Sequence, residues 1–276
     1  MLTIAQITDL HVTTAKDPVN GPRNAERLRL VLASIRQLKP QPAAIMISGD
    51  LVDRGQAEEY AILQDLLRHV DIPVYYGLGN HDRRDVFLKA FEGRGIRVDE
   101  NGFVQYAVDF GALRMVVCDT LEEGSEGGGF CDRRAAWLAA TLDEAPDKPT
   151  FIALHHPPIL SGIQWMDPEP DEPWIERLAD VIRDRPQVRA LVAGHLHRAF
   201  SGVLAGRLVV AAPATSIQLT LNLTAVDMKK PDGREILVEE PPGYALVMLE
   251  RGQVTTHICV AGDYSPAVAY TVPFRK

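Results

Sequence analysis

Apolar runs of strand length alternate with stretches of helical periodicity over the first two thirds of the chain. The runs at residues 2–7, 43–48 and 73–78 are short and bounded by turn residues, as buried strands are. Over residues 24–38 and 57–70, apolar side chains recur every three or four positions, which predicts amphipathic helices. This alternation of strand and helix predicts a layered α/β core.

The same two periodicities predict the remaining elements. They are helices over residues 85–91, 132–142 and 174–183, and strands over residues 103–108, 113–118, 150–154, 188–192, 207–212, 217–223, 245–249 and 254–260. We expect Asp132 to cap the helix that it begins. Strands dominate the end of the chain, so we divide it into a core, residues 1–210, and a β-rich C-terminal region, residues 211–276. That region is expected to complete the second sheet or to form a cap or an oligomer contact.

Polar side chains follow five of the predicted strands at the point where each strand ends. These clusters are Asp9-Leu10-His11, Gly49-Asp50-Leu51-Val52-Asp53, Gly79-Asn80-His81-Asp82, His155-His156-Pro157-Pro158 and Gly194-His195-Leu196-His197. Ligands of α/β proteins bind at the carboxyl ends of strands, so we expect the clusters to converge there. Carboxylate, carboxamide and imidazole donors without a thiolate suit Mn, Fe, Zn or Co better than a structural zinc site built from cysteines.

The charge, the cysteine count and the length of the apolar runs argue against several classes of protein. A formal net charge of -8 argues against general binding of nucleic-acid backbones. Three widely spaced cysteines in 276 residues argue against a disulfide framework. No apolar run approaches the roughly 18 residues of a membrane helix, and the first residues lack a basic segment and a cleavage site. We therefore expect a cytoplasmic protein with no nucleic-acid partner and no membrane association.

The five clusters, in this order, resemble those of the calcineurin-like metallophosphoesterase family. The His155-His156-Pro157-Pro158 and Met166-Asp167-Pro168 segments further resemble bacterial class III cyclic-nucleotide and glycerophosphodiester phosphodiesterases. The resemblance implies a four-layered α/β/β/α sandwich of two mixed sheets flanked by helices. It also implies a metal-dependent hydrolase of small phosphodiesters, either a 3′,5′-cyclic nucleotide or a glycerophosphodiester.

The resemblance further implies two divalent metal ions, Mn, Fe, Zn or Co, that share one carboxylate. The first ion would be held by Asp9, His11, Asp50 and His197, and the second by Asp50, Asn80, His155 and His195. Simple addition of charges, including a bridging hydroxide that attacks the phosphorus, leaves a residual of about +1. That charge lets an acidic protein bind an anionic phosphate.

The expected catalytic residues are Asp50 and His81. The resemblance implies that His81 binds a phosphoryl oxygen or protonates the leaving alkoxide. Asp53 or Asp82 is expected to orient its imidazole. The expected substrate contacts are Asn80, His81, His156 and Arg54.

Competing interpretations stay open for the function. The segment Gly49-Asp50-x-x-Asp53-Arg54-Gly55 also resembles a block of the phosphoprotein phosphatases, so a phosphomonoesterase or phosphoprotein phosphatase on the same fold is the alternative. A non-enzymatic scaffold would have lost ligands, and none is missing. A purple acid phosphatase would have a tyrosinate ligand, which Val52-Asp53 does not offer.

Other segments have two interpretations each. Trp165, Met166 and Trp174 either line a substrate pocket, or anchor their loop or form an oligomer contact. The glycine-rich residues 122–129 form either a plain loop or a lid, and either residues 161–173 or the C-terminal region is a candidate to close over the site. Arg54 forms either a phosphate contact or a surface salt bridge. The β-rich end of the chain is also a candidate contact between copies in a homo-oligomer.

Overall fold

A computed structural model of the protein describes residues 1–16, 20–169, 171–227 and 229–265. Its helices are α1 (Gly21–Gln37), α2 (Ala57–Leu67), α3 (Arg84–Ala90), α4 (Asp132–Asp143) and α5 (Pro173–Arg183). Its strands are β1 (Leu2–Ile7), β2 (Ala44–Ile47), β3 (Val74–Tyr76), β4 (Tyr106–Phe110), β5 (Leu113–Val117), β6 (Thr150–Ala153), β7 (Val188–Ala193), β8 (Phe200–Leu204), β9 (Arg207–Ala211), β10 (Gln218–Leu219), β11 (Leu237–Val238), β12 (Gly243–Glu250) and β13 (Gln253–Val260). In the described part of the chain, no helix combines the length and the apolar character needed to cross a membrane.

Two large mixed sheets form the centre of the fold. The first has the strand order β13-β12-β1-β2-β3, and the second has the order β4-β5-β6-β7-β9-β8. Strands β1, β2 and β3 are parallel, as are β5, β6, β7 and β9. Parallel strands all end at the same edge of their sheet, so each sheet brings several loops to one rim.

The second sheet has a core on each of its faces, which fixes the order of the layers. Met115 and Val117 of β5 belong to the same apolar cluster as the first sheet and helices α1, α2 and α3. Val116 lies between them in sequence and packs instead with α4 and α5. Side chains alternate between the faces of a strand, so the second sheet lies between the first sheet and α4 with α5. The four-layered α/β/β/α sandwich is confirmed.

The C-terminal region enters the first sheet. Strand β12 pairs antiparallel with β1, so that Leu2 lies opposite Leu249 and Gln6 opposite Ala245. Strand β13 continues the sheet beyond β12. The division of the chain near residue 210 and a role of this region in oligomer contacts stay predictions.

Most predicted elements are confirmed to within a few residues, and two predictions were wrong. The N-cap of α4 is Cys131, and Asp132 lies in the first turn, where its carboxylate is 2.6 Å from Arg177 Nε. Helix α1 begins at Gly21 because proline is tolerated in a first helical turn. Of residues 217–223 only the two residues of β10 form a strand, which pairs antiparallel with β11. Strands β8 and β11 were not predicted.

Candidate metal centre

The five polar clusters converge at the carboxyl edges of the two sheets. The first three follow β1, β2 and β3, and the other two follow β6 and β7. Groups of histidine and aspartate side chains meet there with ligand atoms within 4.8 Å of one another. They are Asp9, His11, Asp50 and His197; His155, His156 and His195; and His11, Asp53 and His81. The molecule therefore has histidine and aspartate groups that can hold metal ions.

The first donor set consists of Asp9, His11, Asp50 and His197. His11 Nε2 lies 3.5 Å from Asp50 Oδ2, and His197 Nε2 lies 3.5 Å from Asp9 Oδ1. Asp9 and Asp50 are buried, and each is held by a main-chain donor of another loop. The His195 amide donates to both oxygens of Asp9, and the His81 amide donates to Asp50 Oδ1.

The two histidines of this set face each other in a way that requires a cation. Their Nε2 atoms are 2.9 Å apart. His11 Nδ1 faces the Asp53 carboxylate at 3.3 Å, and His197 Nδ1 faces the Ile217 carbonyl at 2.7 Å. Both partners are acceptors, so each Nδ1 carries the proton and each neutral ring has its lone pair on Nε2. Two lone pairs at this distance repel unless a proton or a metal ion lies between them. Because neutral imidazoles are the form that binds metal, the donor set fits a metal ion.

The second donor set consists of Asp50, Asn80, His155 and His195. Asn80 Oδ1 lies 3.2 Å from His155 Nε2 and 3.0 Å from His195 Nδ1. His155 Nε2 is also 3.3 Å from Asp50 Oδ2. His155 Nδ1 faces the carbonyl of Ser48 at 3.2 Å, which leaves the lone pair of the neutral ring on Nε2. Asp50 is thus common to both sets.

Left-handed backbone places most of these donors. Asp9, His11, Asp50, His195 and His197 all have φ between 43° and 70°. Non-glycine residues rarely adopt this conformation, and in other proteins it clusters at functional sites. Each of the five turns sharply just after a strand, which aims its side chain across the rim.

Glycines allow the loops to approach one another closely. A Cβ atom on Gly194 would lie 2.0 Å from Thr8 Oγ1 and 2.8 Å from Asp9 Oδ2. A Cβ atom on Gly79 would lie 2.3 Å from Asp50 Oδ1. The glycines that precede the donors are therefore needed for contact between neighbouring loops.

Burial and neighbouring charges set the protonation states of the histidines. Burial lowers the pKa of His156 and His197, and it lowers the pKa of His195 to about 3, with His155 adding to the effect. Burial also acts to lower the pKa of His155, but the Asp50 carboxylate outweighs it and raises that pKa to about 9. Neutral imidazoles and ionised carboxylates are the forms that bind metal ions.

His81 lies beside the donor sets, and its partner differs from the expected one. Its Nδ1 lies 2.7 Å from the main-chain carbonyl of Asp53, whose carboxylate faces His11 instead. The expectation that Asp82 orients His81 was wrong. The Asp82 carboxylate accepts from the amides of Leu51 and Gly79 and from the Tyr60 hydroxyl, and so joins the loops after β2 and β3. Burial, followed by the Asp50 charge, raises the pKa of Asp82 to about 7.

The remaining predicted substrate contacts lie on two sides of the centre. His156 is buried, and its Nδ1 lies 2.8 Å from Thr120 Oγ1. The Arg54 guanidinium is exposed on the opposite side, with Nε 3.5 Å from Asp53 Oδ2. Of the two interpretations of Arg54, the salt bridge is therefore present, and the phosphate contact stays a prediction.

A cavity of about 360 Å³ opens beside the second donor set. Its lining includes His156, His195, Trp165, Met166 and Trp174. The two tryptophans and Met166 thus line a cavity, while their role in a substrate pocket stays a prediction. The pocket places apolar surface within reach of the donor atoms.

The segment from residue 119 to residue 129, which we call the strap, contains site residues that the sequence did not indicate. Thr120 contacts His156, and the Glu126 carboxylate accepts a 2.9 Å hydrogen bond from Asn80 Nδ2. Asp119 and Thr120 follow β5 directly, so the strand-end pattern could have found Thr120. Glu126 lies in a glycine-rich stretch without periodicity and had no such signal.

Comparisons with known proteins agree with this geometry. Residues 2–199 match the family model described as calcineurin-like phosphoesterase. A probable glycerophosphodiester phosphodiesterase of Arcobacter nitrofigilis is 30% identical, over 95% of this chain and 94% of its own. A probable cyclic nucleotide phosphodiesterase of Rhodopseudomonas palustris is 34% identical, over 92% of this chain and 90% of its own.

A solved structure shares the fold at low sequence identity. A dimetal phosphatase from Danio rerio has a TM-score of 0.63 at 17% identity, covering 95% of this chain and 99% of its own. The matched segment contains all five clusters, and the two curated relatives match nearly the whole chain. The chain belongs to the calcineurin-like phosphoesterase family.

Proposed function

We propose that the protein is a phosphodiesterase that holds two divalent metal ions and hydrolyses small phosphodiesters, either a 3′,5′-cyclic nucleotide or a glycerophosphodiester. The observation that carries the proposal is the pair of donor sets sharing Asp50 beside a cavity with apolar walls. The names of the curated relatives support the diester class. Phosphomonoester hydrolysis on the same fold is the alternative that the test below separates.

The residues assigned to the ions are those of the two donor sets. Asp9, His11, Asp50 and His197 hold the first ion, and Asp50, Asn80, His155 and His195 hold the second. Mn, Fe, Zn and Co all suit this combination of oxygen and nitrogen donors. When bound, such a pair polarises phosphoryl oxygens and lowers the pKa of bound water. Without it, Asp9 and Asp50 would repel a phosphate, in a chain whose formal net charge is already -8.

His81 is assigned the proton transfer to the leaving group. Its Nδ1 faces the Asp53 carbonyl and keeps its proton, so the protonated ring would give the proton on Nε2 to the leaving alkoxide and become neutral. Its main-chain amide binds Asp50 Oδ1, which fixes the residue next to the shared carboxylate. His156 and Arg54 are assigned to substrate binding on opposite sides of the reacting phosphate. The tryptophan-lined cavity would receive the organic group of the diester.

The test is a substrate panel run on protein stripped of metal and then loaded separately with Mn, Fe, Zn or Co. The panel contains bis(p-nitrophenyl) phosphate, 3′,5′-cyclic AMP, glycerophosphodiesters, p-nitrophenyl phosphate and a phosphoserine peptide. We expect kcat/KM for diesters to exceed that for monoesters with at least one metal. A preference for monoesters would establish the alternative, and unchanged diester turnover after chelation would refute metal dependence.

A further inference from the structure

The carboxamide of Asn80 has two ends, and only one of them can bind a cation. In the structure Oδ1 faces His155 Nε2 and His195 Nδ1, while Nδ2 faces outward and donates to Glu126 Oε2 at 2.9 Å. A rotation of the carboxamide by 180° would exchange the two atoms with almost no change in shape. The rotated side chain would present an NH₂ group to the centre and could not act as a ligand.

When His155 is neutral, as metal binding requires, the second donor set does not by itself favour the orientation with the oxygen inward. The lone pair of neutral His155 lies on Nε2, because its Nδ1 faces the carbonyl of Ser48. An inward NH₂ group would donate to that lone pair, whereas an inward oxygen meets it as a second acceptor. The inward oxygen therefore needs a partner on the outer side of Asn80 that accepts hydrogen bonds and cannot donate them.

Glu126 has that property. An ionised carboxylate only accepts hydrogen bonds, so it pairs with the NH₂ end of the carboxamide and not with the oxygen. A hydrogen bond to a charged acceptor is also stronger than one between neutral groups. The contact at 2.9 Å thus selects the orientation in which Asn80 Oδ1 faces the two histidines.

The strap holds Glu126 in reach of Asn80. At one end, Arg84 of α3 makes a two-point contact with the buried Asp119 carboxylate, at 2.9 and 3.0 Å. Further along, Arg84 also contacts Glu123, and Arg134 of α4 contacts Glu122 and the Gly129 carbonyl. Two arginines from neighbouring helices therefore fix both ends of the segment whose middle carries Glu126.

We propose that Glu126 is a positioning residue that holds Asn80 ready to bind the second metal ion. The inference rests on the proposed function, because it takes Asn80 as a ligand. Glu126 lies outside the five clusters and acts only through Asn80. Removal of the Glu126 carboxylate is therefore expected to weaken binding of the second metal ion and to leave binding of the first unchanged.

The experiment is calorimetric titration of the metal-stripped full-length protein with Mn²⁺. We expect Glu126→Ala to weaken one of the two binding events by about 10- to 100-fold, the range found when partners of metal ligands are removed. Glu126→Gln keeps an oxygen acceptor but can also donate from its own NH₂ group, so it selects the orientation only in part and an intermediate affinity is expected. Glu92→Gln is the control, because it removes one negative charge from an exposed residue outside the strap and outside both donor sets.

A double-mutant cycle with Asn80→Ala separates positioning from a general effect of charge or folding. If Glu126 acts through Asn80, then Glu126→Ala has no further effect in the Asn80→Ala background. An equal loss in both backgrounds, a loss of both ions, or wild-type affinity of Glu126→Ala would each overturn the inference. So would wild-type affinity of Glu126→Gln. Wild-type protein that binds two ions and cleaves diesters would leave the proposed function intact in all these cases.

Discussion

The two donor sets share Asp50 but differ in how their other side chains are held. In the first set, His11 and His197 each have the far ring nitrogen fixed, one by Asp53 and one by the Ile217 carbonyl. In the second set, Asn80 is only partly buried and is oriented from an exposed loop. The side chains of the first set are held by the loops at the rim of the two sheets. In the second set, Asn80 is held by the strap, whose Glu126 lies outside the five clusters. The affinity for the second metal ion can therefore change without substitution of any of its ligands.

The largest effect is expected where the two sets meet. Asp50→Ala removes a ligand from both, so we expect loss of both ions and a fall in kcat/KM of roughly 10³-fold or more, since several kcal/mol of charge stabilisation disappear. Metal content and hydrolysis of bis(p-nitrophenyl) phosphate measure it. Asp53→Ala is the comparison variant, because it removes the carboxylate that faces His11 and Arg54 but no metal ligand, and a loss of about 10- to 100-fold is expected. Retention of both ions by Asp50→Ala would contradict the shared role.

Substitution of His81 tests whether the catalytic step can be impaired without loss of metal binding. Since His81 is a member of neither set, His81→Ala is expected to keep both ions and to lower kcat by about 10²-fold or more. The loss should be greater for substrates with a poor leaving group, which need the proton most. A loss of equal size for good and poor leaving groups would show that His81 does not supply the proton.

The glycines test how closely the loops must pack. Gly194→Ala places a methyl group against Thr8 and Asp9 of the first set, and Gly79→Ala places one against Asp50 and His155. Each is expected to lower the free energy of unfolding by about 1–3 kcal/mol, as overpacking does. Gly127→Ala is the control, because its methyl group would have no atom nearer than Ser125 Oγ at 3.7 Å. Urea denaturation measures all three, and equal stability of the variants would contradict the packing argument.

The smallest effect is a dependence of stability on pH in the metal-free protein. The raised pKa of His155 means that its contribution is complete below the ordinary value of about 6.5 and is lost as the pH rises through about 9. We therefore expect Tm of the stripped protein to fall by a few degrees between pH 7 and pH 9.5. The Mn-loaded protein should change less, because metal binding requires unprotonated His155 at both pH values. Calorimetric scans measure both forms, and equal slopes would contradict the prediction.

The sequence predicted the side chains of the site better than their partners. Asp9, Asp50 and His155 were found because each follows a strand, and strand ends meet at one rim. The carbonyls of Asp53 and Ile217 that orient His81 and His197 were not found, since a main-chain oxygen carries no residue-specific signal.

Two further features of the site could not be predicted, because they depend on contacts between segments that are distant in the sequence. The left-handed backbone at five donors is set by neighbouring loops, whereas the local sequence at a non-glycine residue disfavours it. The contact between Glu126 and Asn80 joins residues that are 46 positions apart, and no periodicity marks it. The layered α/β core, in contrast, followed from the alternation of apolar runs, because burial of one face dictates both the pattern and the architecture. The number of layers followed from the resemblance of the five clusters to those of the family.

The pairing of β1 with β12 has a consequence for the order of events during translation. Strand β1 precedes the loop of Asp9 and His11 and pairs with two strands, β2 and β12. Strand β12 becomes available only when residues 243–250 have left the ribosome. A nascent chain that stalls before that point exposes the hydrogen-bonding edge of β1 to other chains. A chain truncated near residue 240 is therefore expected to aggregate, even though it contains every residue assigned as a metal ligand.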